Sequence, residues 1–349
     1  MNIIFNKIEE NYKSNMPFVA YRKPNSKQVS GFFMKDDLLY STYQFTESGF
    51  VFAPFNPEEK AILFPFDKSE IIIENNIIDE PFYLDEIIAT ENTSENEAHI
   101  HLVEKALAEI NKNKLVKVVV SRKEAIQLLN FDVLLTFKKL LKTYKNAFVY
   151  VWFHPKVGLW FGATPETLLN ISDDTFKTMS LAGTQVFKKA ETVVWKQKEL
   201  EEQQLVTDFI EHQLKPISTS LKIDKTETVK AGNLLHLKSR VEGVLNKGAN
   251  LKELIRALHP TPAVCGLPRE KSKDFINQNE NYKRTFYTGF LGELNLESKK
   301  SSLFVNLRCM SVKDKTAAIY VGGGITKDSN AKKEYEETVS KTKTMKKVL

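Results

Sequence analysis

This chain has few cysteines and no long hydrophobic run. Cys265 and Cys309 are the only cysteines among 349 residues, and there is neither a CxxC spacing nor a cluster of cysteine with histidine. Neither a disulfide framework nor a zinc site is indicated, so we expect both thiols to be small buried apolar groups. The longest apolar runs, such as residues 146–153, are far too short to span a bilayer, and no membrane association is expected.

Targeting and low-complexity segments are also missing. Residues 1–10 mix charges into every turn and offer no signal-peptide core, so we expect a cytoplasmic protein. The chain shows no internal repeat, and 42% apolar with 27% charged residues is ordinary for a folded globular protein. The length suits one large domain or two ordinary ones.

The net charge of +6 is spread along the chain. The one basic cluster, residues 341–347, ends the last predicted helix, where cations favour the helix dipole. A small anionic ligand suits this charge, whereas a nucleic-acid partner is not expected.

The first part of the chain, residues 1–95, has the pattern of a β-rich region that packs into the same globule as the rest. Its predicted strands, broken by prolines, are 18–21, 29–34, 49–55 and 61–64. The polar segment 91–97, with Thr93 and Ser94 as candidate helix N-caps, is the predicted boundary. No chemistry is assigned to this part.

Residues 96–349 mix helices and strands without regular βαβ alternation. The predicted helices are one through Ile100 and Ile110, then 131–144, 192–214 and 331–349. The predicted strands are 116–121, two within 146–162, one around Ile171, 175–180, 234–244, 285–291, 303–312 and 317–321. Helices inserted between strands of antiparallel type favour an α+β layered fold.

Two pairs of glutamates share one spacing near the start of two predicted helices. Glu199 and Glu202 form one pair, and Glu334 and Glu337 form the other. At this spacing both carboxylates of a pair leave the helix on the same side. The same stripe continues through apolar residues, which are Val206, Phe209 and Ile210 in the first helix and Met345 and Val348 in the second.

The glutamate pairs are therefore predicted to face inward, although solvated surface pairs are the ordinary alternative. Buried carboxylates cost several kcal/mol each unless something compensates their charge, so an inward cluster implies a cation or a shared proton. Ligands that are all oxygen favour a hard metal ion such as Mg²⁺.

Four short segments add to this pattern: residues 162–166 (GATPE), 181–184 (LAGT), 258–263 (LHPTPA) and 320–325 (YVGGGI). Together with the paired acids, and in this order, they resemble the chorismate-utilising enzymes over residues 97–349. The resemblance implies large layered antiparallel β-sheets with helices packed outside, as in anthranilate synthase component I. It also implies a Mg²⁺-dependent attack on chorismate, in which the members differ by the nucleophile and by the later steps.

Two residues match the family's proton-transfer groups. Lys117 matches the general base for water in isochorismate and salicylate synthases, where the amine-adding members usually carry glutamine. Glu166 matches the general acid that protonates the departing C4 hydroxyl, a role that needs a raised carboxyl pKa. Without the resemblance, Lys117 would be an exposed strand lysine and Glu166 a turn residue.

The resemblance also implies a metal and substrate site. Glu202 and Glu337 match the principal Mg²⁺ ligands, with Glu199 and Glu334 holding metal-bound water or a neighbouring oxygen. Arg308, expected on an apolar strand, matches the arginine that grips a substrate carboxylate. The remaining matches are Gly183, Thr184, His259, Ala263, Tyr287, Gly322, Gly323, Gly324 and Lys341. Backbone N–H groups of the three consecutive glycines are expected to face the other carboxylate, and His259 alone would more often be a core histidine.

Among family members, isochorismate synthase is the prediction, an isomerase with no obligatory glutaminase subunit and expected as a monomer. Lys117 argues against anthranilate and aminodeoxychorismate synthases. Salicylate synthase stays open as the alternative, since Ala263 favours the isomerase while Tyr287 leaves the lyase possible. Gln203 and Cys265 depart from the usual pattern without replacing a catalytic group. The sequence leaves open whether the product feeds menaquinone or a siderophore.

Overall fold

The computed structural model of the chain describes residues 2–75, 93–187, 193–231, 234–297 and 299–349. Its helices are α1 Ile3–Lys13, α2 Thr93–Asn111, α3 Val133–Thr143, α4 Gln197–Leu214, α5 Leu251–Leu258, α6 Arg269–Asn279 and α7 Ala331–Lys346, with a 3-10 turn at Lys215–Ile217. Among the residues so described, no helix is both long and apolar enough to cross a membrane.

The strands form two large sheets in which every pairing is antiparallel. The first sheet runs in the order β15 Gly266–Leu267, β7 Lys117–Gln127, β19 Thr316–Ile325, β18 Cys309–Lys313, β9 Gly158–Thr164, β8 Phe148–His154, β1 Phe18–Arg22, β2 Gln28–Met34 and β6 Ser69–Asn75. The second runs β12 Ser218–Ile223, β14 Leu234–Leu245, β11 Thr175–Val186, β10 Thr167–Ser172, β17 Lys300–Val305, β16 Phe290–Leu296, β4 Gly49–Ala53, β5 Ala61–Pro65 and β3 Ser41–Thr42, with β13 Glu227–Ala231 paired to β14.

The two sheets pack face to face, and helices cover their outer faces. In β1, Val19 and Tyr21 contact the aromatic layer between the sheets, which includes Phe50 of the second sheet. Phe18 and Ala20 of the same strand pack on the opposite side in the cluster that holds α1 and α3. Because both faces are covered, such strands are continuous apolar runs in the sequence. The predicted α+β fold of layered antiparallel sheets is confirmed.

Strands from the first 75 residues are built into both sheets. β1 pairs with β8 over Phe18 to Arg22, and β4 pairs with β16 over Gly49 to Ala53. Residues 91–92 of the predicted boundary segment, the side chains of the proposed caps Thr93 and Ser94, and Thr192 at the predicted start of α4 lie outside the described part of the structure.

Two predictions about elements were wrong, and three helices were not predicted. The single strand predicted at 303–312 is two strands in different sheets, β17 and β18, joined by residues 306–308. The strand predicted from 285 begins only at Phe290, because the chain first turns through Thr285 and Thr288, both at positive φ. Helices α1, α5 and α6, each of 8 to 11 residues, were not predicted, although the apolar residues of α5 follow helical spacing. Both cysteines are buried, as expected.

Candidate active site

The chain passes from one sheet to the other at two neighbouring crossings, and the candidate site lies beside them. Residues 165–166 lead from β9 to β10, and residues 306–308 lead from β17 to β18. Ala163 N–H donates to Arg308 O at 3.0 Å, and Val305 N–H donates to Glu166 O at 3.0 Å. These bonds tie the crossings together at the place where the strands leave their sheets.

Beside the crossings lies a cavity with about 760 Å³ of empty space, a figure that includes its open mouth. We call it the site cavity. Most of the residues predicted from the sequence line it: Glu166, Gly183, Thr184, Glu202, Ala263, Tyr287, Arg308, Gly322, Gly324, Glu337 and Lys341. Lys117, Gly323 and Glu334 lie directly behind this wall, whereas Glu199 and His259 have other contacts, described below.

Lys117 is buried at the start of β7, where its side chain is 0% exposed. The strand is held on one side by β15 and on the other by β19. Its Nζ lies 2.9 Å from Oε1 of Glu202, an ion pair that lacks the alignment of a hydrogen bond. A β-carbon built on Gly324 would lie 3.1 Å from Cε of Lys117, so the glycine gives the lysine stem its room.

Glu166 is a buried carboxyl group on the wall of the site cavity, with 4% of the residue exposed. Burial raises its pKa to about 8, and the charge of Lys117 opposes that rise only in part. The backbone N–H of Glu166 donates to Oγ1 of Thr164 at 3.3 Å, which fixes the turn after Pro165. At neutral pH this side chain is therefore a proton donor facing the cavity.

Three carboxylates converge on the glycine segment of β19. A β-carbon built on Gly324 would lie 2.5 Å from Oε1 of Glu202 on α4. One built on Gly323 would lie 3.7 Å from Oε2 of Glu334 and 4.0 Å from Oε1 of Glu337, both on α7. Larger residues at 324 would collide with the Glu202 carboxylate, so the glycine allows this approach.

Each of these carboxylates faces a lysine. Besides the contact of Glu202 with Lys117, Lys341 Nζ lies 2.7 Å from Oε1 of Glu337, and Lys198 pairs with Glu334. Burial raises the pKa of Glu202, but the positive charges of Lys117, Lys198 and Lys341 outweigh burial and lower it overall. For Glu334, burial dominates, and its pKa is raised despite Lys198.

This donor set fits a hard divalent cation. Within the described residues, no three acidic, histidine or cysteine side chains form a ready-made metal cluster. Mg²⁺, however, is usually held by one or two carboxylates together with water and substrate oxygens. Glu202 and Glu337 both line the cavity and supply such a pair, with Glu334 beside them.

Glu199 is placed differently from the other acids. Its Oε2 accepts the backbone N–H of Lys196 at 3.1 Å as part of the capping box that starts α4. Its β-carbon packs against Gly183, where a built β-carbon would lie 3.2 Å away. The structure thus gives Glu199 a local role at the helix start, and its predicted contact with metal-bound water stays a prediction.

The backbone of the glycine segment is open toward the cavity. On β7, the N–H groups of Val119 and Ser121 donate to partners away from β19. In an antiparallel ladder the opposite residues, Gly324 and Gly322, then also turn their N–H and C=O groups away from β7. Lys341 Nζ donates to Gly322 O at 2.9 Å on this side.

Arg308 lies in the crossing after β17 with φ of 48°, so its predicted placement on a strand was wrong. Its Nη2 lies 3.0 Å from Nε2 of His236, and the other ring nitrogen of His236 lies 3.1 Å from Gly183 O. Burial, with Arg308 and Lys341 nearby, lowers the pKa of His236 to about 3. The neutral ring therefore donates to Gly183 and accepts from Arg308, which orients the guanidinium.

The sequence reading missed His236 and Lys198. His236 is a lone polar side chain inside the apolar start of β14, and Lys198 is four residues before Glu202; these were the available signals.

Gln203, which departs from the usual family pattern, accepts Ala182 N–H at 2.9 Å and anchors α4 to β11. Thr184 Oγ1 lies 3.3 Å from Nδ1 of His236.

Of the other predicted substrate contacts, Tyr287 lines the site cavity and His259 does not. Tyr287 is buried, stacks on Tyr320 with ring centroids 5.5 Å apart, and has its pKa raised by burial. His259 does not line the cavity: its Nε2 lies 3.1 Å from Pro54 O, and its ring meets Phe290 edge-on. Burial lowers the pKa of His259 to about 4, so it is a neutral core histidine.

Comparison with known proteins gives one family match. The family model described as "Chorismate binding enzyme" matches residues 66–349. Isochorismate synthase DhbC of Bacillus subtilis is 29% identical over 194 residues, which cover 53% of this chain and 48% of the relative. Isochorismate synthase MenF of the same organism is 28% identical over 275 residues, covering 74% of this chain and 57% of the relative. The matches thus span about half the length of these curated relatives.

The solved structure of MenF, the menaquinone-specific isochorismate synthase from Escherichia coli, has the same fold. It superposes with a TM-score of 0.80 at 19% identity, covering 95% of this chain and 88% of that one. This likeness confirms the architecture that the sequence motifs implied.

Proposed function

Since this chain belongs to the family of chorismate-binding enzymes, we propose that it is an isochorismate synthase, which interconverts chorismate and isochorismate. One observation carries the proposal. A buried acid whose pKa is about 8, Glu166, lines the site cavity, and a fully buried lysine, Lys117, lies directly behind its wall beside Glu202. Water addition with loss of a hydroxyl needs a proton acceptor and a proton donor of this kind.

In the proposed reaction, water adds at C2 of the ring while the C4 hydroxyl leaves and the double bonds shift. Lys117 takes the proton of the attacking water, for which its amine must be uncharged. At present Glu202 holds the lysine by an ion pair at 2.9 Å. Engagement of Glu202 by another cation would release this hold on Lys117.

Glu166 gives its proton to the departing C4 hydroxyl. The hydroxyl leaves as water instead of hydroxide, which removes a large part of the barrier. Because Glu166 is protonated at neutral pH, it starts the forward reaction in the correct state. In reverse, the two groups exchange their roles.

The remaining residues bind the two carboxylates of the substrate. We assign Mg²⁺ to Glu202 and Glu337, where it would supply positive charge for the ring carboxylate. Arg308, oriented by His236, offers a planar fork of donors to the second carboxylate. The cavity-facing backbone N–H groups of Gly322 and Gly324 suit the same task.

Product analysis tests the assignment. Purified protein with chorismate and Mg²⁺ should approach a mixture of chorismate and isochorismate without releasing pyruvate, as judged by chromatography and a coupled pyruvate assay. Pyruvate in step with salicylate would move the assignment to the lyase. Unchanged chorismate, together with salt-dependent retention on DNA or RNA, would replace it by a binding role.

A further inference from the structure

A second cavity adjoins the site cavity and carries a concentration of lysines. It has about 1550 Å³ of empty space including its open mouth and lies between the end of α3, the hairpin of β13 and β14, and Thr344 of α7. We call it the lysine vestibule after the four lysines that line it: Lys142, Lys145, Lys230 and Lys238. None of these residues belongs to the proposed catalytic machinery.

The vestibule and the site cavity share one wall. Pro165, Leu181, His236 and Arg308 line both spaces. The carboxylates at the glycine segment of β19, Glu202, Glu334 and Glu337, do not line the vestibule. Arg308 is therefore a cationic residue that lines both the vestibule and the site cavity.

Three of the vestibule lysines, Lys145, Lys230 and Lys238, belong to none of the ion pairs among the described residues. Among the described residues lining it there is no aspartate or glutamate. Within the described part of the chain, no carboxylate lies within ion-pair distance of Lys145, Lys230 or Lys238, although other exposed lysines such as Lys13 and Lys177 are paired. The pKa of Lys238 is lowered by burial and by Arg240, against the attraction of Glu227. Such concave cationic surfaces concentrate anions and speed their capture.

We propose that the lysine vestibule is the entrance that collects the doubly charged substrate and delivers it to Arg308. This inference rests on the proposed function, because it takes a small dicarboxylate as the ligand. The lysines act on encounter and binding and not on the chemical step, so their removal changes kcat/KM and its dependence on salt.

The test is the triple variant Lys145→Gln, Lys230→Gln and Lys238→Gln, assayed with chorismate across a range of ionic strength. At low salt we expect kcat/KM to fall about 5- to 10-fold with kcat unchanged. At high salt, where the screening length is about 3 Å, the variant and the parent protein should agree within about 2-fold. If the triple variant does not fold, the three single variants should each show a shallower salt dependence.

The matched control removes three exposed lysines elsewhere, with Lys60→Gln, Lys247→Gln and Lys313→Gln, and lowers the net charge of +6 by the same three units. An equal loss in both triple variants, no loss in the vestibule variant, or a fall in kcat would overturn the entrance role. Calorimetric titration with chorismate separates the two proposals. Parent protein that neither binds nor converts chorismate defeats both, whereas conversion with identical salt dependence defeats only the entrance.

Discussion

The two ends of the site cavity handle charge in opposite ways. At the acidic end, Glu202, Glu334 and Glu337 each face a lysine, so the charges are already matched inside the protein. At the other end, Arg308 contacts the neutral ring of His236, and none of the ion pairs among the described residues includes it. The acidic end must therefore exchange partners to accept a cation, whereas the arginine end holds its charge ready for an anion.

The largest effect is expected between these ends, at the proton-transfer pair. Lys117→Ala and Glu166→Gln should each lower kcat by about 10²- to 10⁴-fold, because each removes a proton acceptor or donor. Steady-state assays with chorismate measure the loss. Lys123→Ala is the matched control, since Lys123 is exposed on the same strand. Near-normal turnover in a folded Lys117 or Glu166 variant would remove that residue from its role.

The acidic end is tested by comparing two glutamates of one helix. Glu202→Gln should raise the half-saturating Mg²⁺ concentration by at least about 10-fold, since it removes a proposed ligand. Glu199→Gln should leave the Mg²⁺ titration nearly unchanged, because its carboxylate caps α4. Equal titration curves for both variants would contradict the division of roles between Glu202 and Glu199.

At the arginine end, Arg308→Lys keeps the charge but loses the planar fork. We expect KM for chorismate to rise about 10-fold with a smaller change in kcat, because the contact serves binding in both ground and transition states. Kinetics at saturating Mg²⁺ give the two constants separately. An unchanged KM would mean that Arg308 does not hold a substrate carboxylate.

The smallest effect is a pH dependence with a defined sign. Glu166 must be protonated to act, and burial raises its pKa to about 8. Activity should thus fall about tenfold for each pH unit above that value. The same shift costs stability, because the unfolded carboxyl ionises near 4.5 while the folded one stays neutral, so stability declines as pH rises from 4.5 toward 8. Glu166→Gln should remove that decline in urea unfolding.

Much of the fold could be predicted from local pattern. Strands such as β1, β2 and β14 and the long helices α3, α4 and α7 carry apolar runs or stripes that need no tertiary information. The crossing at residues 306–308 could not be found this way. Asn306 is buried there as the acceptor of Tyr150 Oη at 2.6 Å, a contact between residues 156 positions apart, and it interrupts what is otherwise one apolar run.

The candidate site was predicted mainly through its motifs. The inward placement of Glu202, Glu334 and Glu337 followed from helical spacing. Spacing could not show that Glu199 caps its own helix, since the choice depends on how the chain enters α4. Nor could it indicate a role for His236, which orients Arg308 only because β14 and the 306–308 crossing meet in space.

The most direct measurement is turnover in water enriched in oxygen-18, with mass spectrometry of the product. If Lys117 activates solvent water, isochorismate should carry the heavy isotope in its C2 hydroxyl, and pyruvate should not accumulate. Product whose C2 oxygen is unlabelled, or chorismate that is not consumed at all, would contradict the central claim.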